Sequence, residues 1–182
     1  MSAPGIKPPP ALMQGGIAGP TLSTSQSSFE LQELWFILQR KPWKSLVLVP
    51  GHAEGSSLPI AAALAEIGRM NRGRSVVLVN AEQLDLSRTA QVIADLDAPP
   101  STSWSSGGGG GSAMGADQAG RKVLVALEPV VRNPLGMAIA MAADAVVLCI
   151  ELGRSDIASA KRTLELIGRE KVLGTVLLRR ER

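Results

Sequence analysis

The chain has 182 residues, enough for one ordinary domain with a sizeable core. Hydrophobic residues make up 45% and charged residues 19%, which excludes a wholly disordered chain. A formal net charge of +3, with no basic stripe interleaved with aromatics, argues against a nucleic-acid partner, and a single Cys excludes an intrachain disulfide.

Residues 1–26 are rich in Pro, Gly, Ser and Thr and carry no apolar stretch of the kind a signal peptide needs. Such a segment buries too little to offset its ordering entropy, so a disordered tail is expected there, with a domain over 27–182. Ser27 and Glu30 have capping-box spacing and predict a helix start. Leu31, Leu34, Trp35 and Leu38 give that helix one apolar face, and Pro42 ends it. Trp35 and Trp43 read as core residues.

Leu46–Val49 reads as a short buried strand, Gly51–Ser57 as a turn, and Leu58–Met70 as a helix with Ile60, Leu64 and Ile67 on one side. Pro59 fits there because it falls in the first turn. Val76–Val79 is a second strand, and a helix from about Ser87 to Asp97 uses Val92, Ile93 and Leu96. Residues 98–120 hold Pro99, Pro100 and the glycines Gly107 to Gly111, a flexible loop by composition that also contains Trp104. Val123–Val125 is a third strand, Pro134–Ala143 a helix, and Val146–Ile150 a fourth strand that includes Cys149 as a core residue. Ser155 is placed to cap a helix bearing Ile157, Leu164 and Ile167, which Gly168 stops. Thr175–Leu178 is the fifth strand, followed by Arg179, Arg180 and Arg182, which read as a solvated end.

Five short apolar strands separated by helices predict a three-layer, doubly wound α/β domain with a mostly parallel sheet covered on both faces. Ligands of such folds bind beyond the carboxyl ends of the strands. The turn after the first strand is therefore where chemistry belongs. A phosphate-binding loop needs glycines, a Lys for the phosphate charge and a Ser or Thr hydroxyl for magnesium. Here Gly51, Gly55 and Ser57 stand in register, but Ser56 occupies the Lys position and Pro50 the first Gly. The helix amino end still offers N–H donors, while Glu54 opposes an anion. His52 is the only His, with no orienting partner legible, and reads as an exposed loop residue. Asn80, Glu82 and Glu128 stand near strand ends and read as solvated side chains; no catalytic residue and no metal site is expected.

Taken in order, the motifs resemble the MinD/ARA-type P-loop group, written MinD/ParA-like, and most closely the cytoplasmic domain of bacterial tyrosine kinases of exopolysaccharide and capsule biosynthesis. In that family a helix of the type E-x-x-R-x-x-R precedes the first strand; Glu30-x-x-Glu33-x-x-Phe36 stands here. His52-Ala53-Glu54-Gly55-Ser56-Ser57 takes the place of P-G-E-G-K-S, and Val79-Asn80-Ala81-Glu82 that of V-D-A-D. Ala126-Leu127-Glu128-Pro129 stands for D-T-P-P, and Ala143-Asp144-Ala145-Val146 for A-D-G-V. Leu152-Gly153-Arg154-Ser155 stands for A-G-R-T, and Val172–Leu178 resembles the last strand without its Asn.

The resemblance implies a P-loop NTPase-like frame from which the chemistry has been removed. The Lys is Ser56, the second-strand Asp is Asn80 and the Walker B Asp is Ala126. The chain has no Tyr, so the family's tyrosine autophosphorylation has no substrate here. The expectation is a non-catalytic pseudo-ATPase or pseudokinase, with Gly51, Gly55, Ser56 and Ser57 as a degenerate loop binding ATP or ADP weakly or not at all. Its implied partner is a protein: a membrane chain-length regulator or export component, or an active paralogue. The alternatives are a MinD/ParA-like positioning protein for cell polarity or appendage assembly, and a nucleotide sensor without hydrolysis. Glu33 and Phe36 replace the basic residues of the ring-forming helix, so a monomer or dimer is expected rather than a ring. No apolar run reaches the ~18 residues of a membrane span, which leads to the expectation of a cytoplasmic protein.

Overall fold

The computed structural model describes residues 26–71, 76–97 and 121–179. The elements run α1 (Gln26–Leu38), β1 (Ser45–Pro50), α2 (Leu58–Met70), β2 (Val76–Ala81), α3 (Leu86–Asp97), β3 (Lys122–Leu127), α4 (Leu135–Ala142), β4 (Ala145–Glu151), α5 (Ile157–Ile167) and β5 (Val172–Leu178). The expected tail, the 98–120 loop, Trp104, Arg180 and Arg182 lie outside the described residues.

The five strands form one sheet in the order β2-β3-β1-β4-β5, and every pairing is parallel. The alternation of side chains along each strand divides two cores. Leu46, Leu48, Leu124, Ala126, Val147 and Cys149 pack toward α1 and α2. Val47, Val49, Val123, Val125, Leu127 and Val146 point the other way, toward residues of α3, α4 and α5. Burial on both faces is why β1 and β3 read as unbroken apolar runs. The three-layer α/β fold is the one expected. β5 differs: it is an edge strand, half-buried at best along its length, with a register irregularity opposite Val146 and Val147.

The first core is organised around tryptophan. Trp35 and Trp43 meet edge to face, 6.0 Å between centroids at 87°. Trp43 Nε1 donates to the Leu38 carbonyl at 2.8 Å, and Lys122 Nζ donates to the Trp43 carbonyl at 2.9 Å while lying over its ring. Gly68 of α2 makes room for this cluster. A Cβ there would sit 2.6 Å from Trp35 Cη2.

At the amino edge of the sheet, Asp144 ties β4 to β1. Its Oδ2 accepts from Lys44 N–H at 2.7 Å, Ser45 N–H at 2.8 Å and Ser45 Oγ at 3.1 Å. Burial alone would raise this carboxyl's pKa. The Ser45 and Lys44 N–H groups, the Ser45 hydroxyl and the Lys44 charge outweigh that and hold it below the usual carboxylate value. Asp144 is thus a structural clamp at the end of the sheet away from the expected site.

Three local expectations are corrected. α1 begins at Gln26, so Ser27 lies inside its first turn and not ahead of it. α5 is capped by Asp156 and not by Ser155: Asp156 Oδ1 accepts Ser159 N–H at 2.6 Å. Ile157 is 87% exposed, and the buried face of α5 is made by Ala160, Thr163 and Ile167.

Candidate functional site

After β1 the chain leaves to one face of the sheet through α2; after the adjacent β3 it leaves to the other through α4. A crevice opens where neighbouring strands part in this way. Gly51, Gly55, Ser56 and Ser57 all lie in the turn between Pro50 and Leu58, at the carboxyl edge beside that crevice.

The turn is held by its own hydrogen bonds. Gly51 N–H donates to the Cys149 carbonyl at 2.7 Å. A Cβ at Gly51 would press within 3.2 Å of Ile150 Cγ1 and 3.3 Å of the Cys149 oxygen, so glycine permits this close approach to β4. Gly55 N–H donates to the His52 carbonyl at 3.2 Å. A Cβ at Gly55 would lie 2.7 Å from Pro50 Cβ and 2.8 Å from His52 Cε1. The loop therefore closes onto the imidazole of His52.

The two serines are engaged as well. Ser56 Oγ donates to Glu82 Oε1 at the end of β2 and accepts Leu58 N–H at 3.2 Å. Ser57 is wholly buried, and its Oγ donates to the Leu127 carbonyl at 2.9 Å, tying the turn to the end of β3. Of the first N–H groups of α2, that of Leu58 is thus taken and Pro59 has none. Little of the helix's usual anion-binding capacity is left at this end.

His52 corrects the expectation of an exposed loop residue: it is 6% exposed. Its Nδ1 hydrogen-bonds Ser155 Oγ at 3.0 Å, and the same Oγ accepts Glu151 N–H at 3.0 Å. Ser155 is therefore part of a clasp between the β1–α2 and β4–α5 turns. His52 Nε2 is buried without a hydrogen-bond partner among the described residues. Arg154 adds loose ion pairs, 3.9 Å to Glu54 and 3.9 Å to Glu151. Glu54, which the sequence sets against an anion, is 81% exposed and turned toward Arg154.

Beside the turn lies an open cleft of about 700 Å³ lined by Gly55, Ser56, Glu82, Asp85, Glu128 and Arg132, among others. Three carboxylates face one guanidinium. Glu128 Oε1 accepts Leu84 N–H at 3.2 Å and Asn133 Nδ2–H at 2.7 Å, fixing the β2–α3 connection against the end of β3. Asn80 Oδ1 accepts Glu82 N–H at 3.0 Å. Among the described residues no three His, Cys, Asp or Glu side chains are grouped to hold a metal ion. Ala126 is wholly buried under α2 and offers the turn only a methyl group. Cys149 is buried in the same core, its thiol pushed up to about 12 by burial first and the Glu151 charge second.

No model of a known protein family matches the chain, and no curated protein matches it. Sequence reasoning missed Asp85, Arg132 and Asn133 as cleft residues. Asp85 carried a usable signal: it precedes α3, and its Oδ1 accepts Arg88 N–H at 2.6 Å as a capping residue does. The clasp between His52 and Ser155 had none, since the pair is 103 positions apart.

Proposed function

We propose that this chain is a catalytically inert relative of P-loop NTPases that works by binding a protein partner. The observation that carries the reading is the state of the turn: the hydroxyls of Ser56 and Ser57 are bound to Glu82 and to the Leu127 carbonyl. In a working loop the corresponding positions serve phosphate and magnesium. The residues present do not fit a magnesium-bound nucleotide. Ala126 supplies no carboxylate for the metal shell, and Glu82 and Glu128 line the cleft a phosphate would enter. A phosphate charge held ~5 Å from one such carboxylate is opposed by about 1–3 kcal/mol, depending on solvent screening.

The partner class follows from the resemblance of the motifs to polysaccharide-associated tyrosine kinases: a membrane chain-length regulator or export component, or an active paralogue. No helix among the described residues is long and apolar enough to cross a membrane, so attachment to a membrane-embedded partner would be through contact with that protein's cytoplasmic part. ATP turnover is the first test. The expected result is no phosphate release above a buffer blank; release that Ser57→Ala abolishes would overturn the reading. Biosensor titration against the cytoplasmic segment of a chain-length regulator, with an active paralogue in parallel, tests the partner class.

A further inference from the structure

α1 buries one side on α2 and leaves a second apolar side in solvent. Phe29 is 71% exposed, Phe36 57% and Ile37 46%. Together with Gln32, Glu33 and Arg40 they line a shallow groove of about 300 Å³ along the helix. Phe29, Glu33, Phe36 and Arg40 follow one another at spacings of four, three and four, so they form a straight seam of the kind that packs against another helix. The charges on this side are ordered. Glu30 and Glu33 lie toward the amino end and Arg40 and Lys41 at the carboxyl end, all exposed. Among the described residues neither Glu33 nor Arg40 is in an ion pair.

From this arrangement we propose that the outer face of α1 is an isologous interface with a second copy of the chain, the two α1 helices antiparallel about a two-fold axis between Phe36 and Ile37. In that register Phe36 of each copy meets Ile37 of the other, and Glu33 of each meets Arg40 of the other. A two-fold interface requires a self-complementary patch. This one supplies it, because an acidic amino half and a basic carboxyl end match their own reverse. Antiparallel helix dipoles favour the same arrangement. A parallel pairing would instead set Glu33 against Glu33 and Arg40 against Arg40. The face is one helix about 20 Å long, short of the ~800 Å² per partner of a standard interface, so the dimer is a weak one. The proposal stands independently of the nucleotide reading.

Sedimentation equilibrium of the full chain over a concentration series at low salt tests it. The wild type is expected to pass from monomer to dimer as concentration rises toward about 100 µM, within the range of a small interface. Glu33→Lys alone and Arg40→Glu alone each set like charges across the axis twice and should weaken the dimer at least ~10-fold. Combining them as Glu33→Lys/Arg40→Glu restores opposite charges and should restore the dimer. Phe36→Ser should weaken it in all charge backgrounds. A wild type that stays monomeric, a species larger than a dimer, or single reversals that leave the dimer intact would each overturn the proposal. So would a folded double variant that does not recover.

Discussion

Ser57→Ala separates a turn that holds itself from a turn that waits for a ligand. The side chain is wholly buried, and its hydroxyl donates to the Leu127 carbonyl at 2.9 Å. Replacing it leaves a buried carbonyl short of a donor and a small void, with no change in charge. A lost hydrogen bond of this kind costs about 1–2 kcal/mol, toward the upper end when the acceptor stays dry. For a domain of this size that corresponds to a fall in Tm of roughly 2–8 °C. Thermal unfolding followed by circular dichroism, with and without magnesium and ATP, is the assay. Both proteins should give the same Tm with and without nucleotide, and the mutant should melt lower in each case. The reasoning is refuted if Ser57→Ala leaves Tm unchanged in buffer while removing a rise in Tm that magnesium-ATP gives the wild type. The hydroxyl would then be working on a ligand and not on Leu127.

Gly55→Ala would drive a methyl group to within 2.7 Å of Pro50 Cβ and 2.8 Å of His52 Cε1; a loss of about 1–3 kcal/mol in urea unfolding is expected, partly recovered by adding His52→Ala. Asp144→Ala should destabilise by about 1 kcal/mol at neutral pH, a low value because the carboxylate is solvent-exposed. Its folded pKa lies below the unfolded one, so its contribution is full above the unfolded value of about 4 and disappears as pH falls through the folded value; urea midpoints of mutant and wild type should converge in acid. Ser56→Lys alone should add little ATP affinity, because Glu82 is within reach of position 56 and captures the ammonium. Ser56→Lys with Glu82→Gln should gain roughly ten- to a hundredfold by calorimetry without turnover, and an equal gain from the single change would show that Glu82 does not compete.

The layers were legible because they follow from local rules. β1, β3 and most of β4 are buried on both faces, so an unbroken apolar run marks each. The α2 bounds, Leu58–Met70, follow from Pro59 in the first turn and the spacing of Ile60, Leu64 and Ile67. Helix starts were less legible where two residues competed. Ser155 and Asp156 are adjacent and both suit a cap; the carboxylate took it because Ser155 was drawn to His52 and the Glu151 N–H. Burial of His52 was not legible at all, since a loop His reads as polar until a distant hydroxyl is known to receive it. Ile157 fits the helical apolar spacing yet stands in solvent, because α5 runs beside an edge strand that has little surface to offer it.

The location of the turn was read correctly, and its internal wiring was not, for one physical reason. Sequence spacing shows which residue types are present at a strand end, and Ser56 or Ser57 at a helix start is compatible with a ligand or with the chain itself. The choice is made by groups brought in from elsewhere: Glu82 from the end of β2, the Leu127 carbonyl from the end of β3 and Ser155 from the β4–α5 turn. Three neighbouring strand ends therefore each hold the turn in place. The substitutions read along the sequence are consistent with this wiring. An Asp at position 126 would put a carboxylate into a core that contains Leu48, Leu64 and Leu124, where an unpaired charge costs several kcal/mol. A Lys at 56 would exchange a neutral hydrogen bond for an ion pair with Glu82. Loss of the chemistry and closure of the turn are in this sense one change: with charge absent at 56 and 126, the strand ends can be joined by neutral hydroxyls, and the frame keeps its shape without a ligand to organise it.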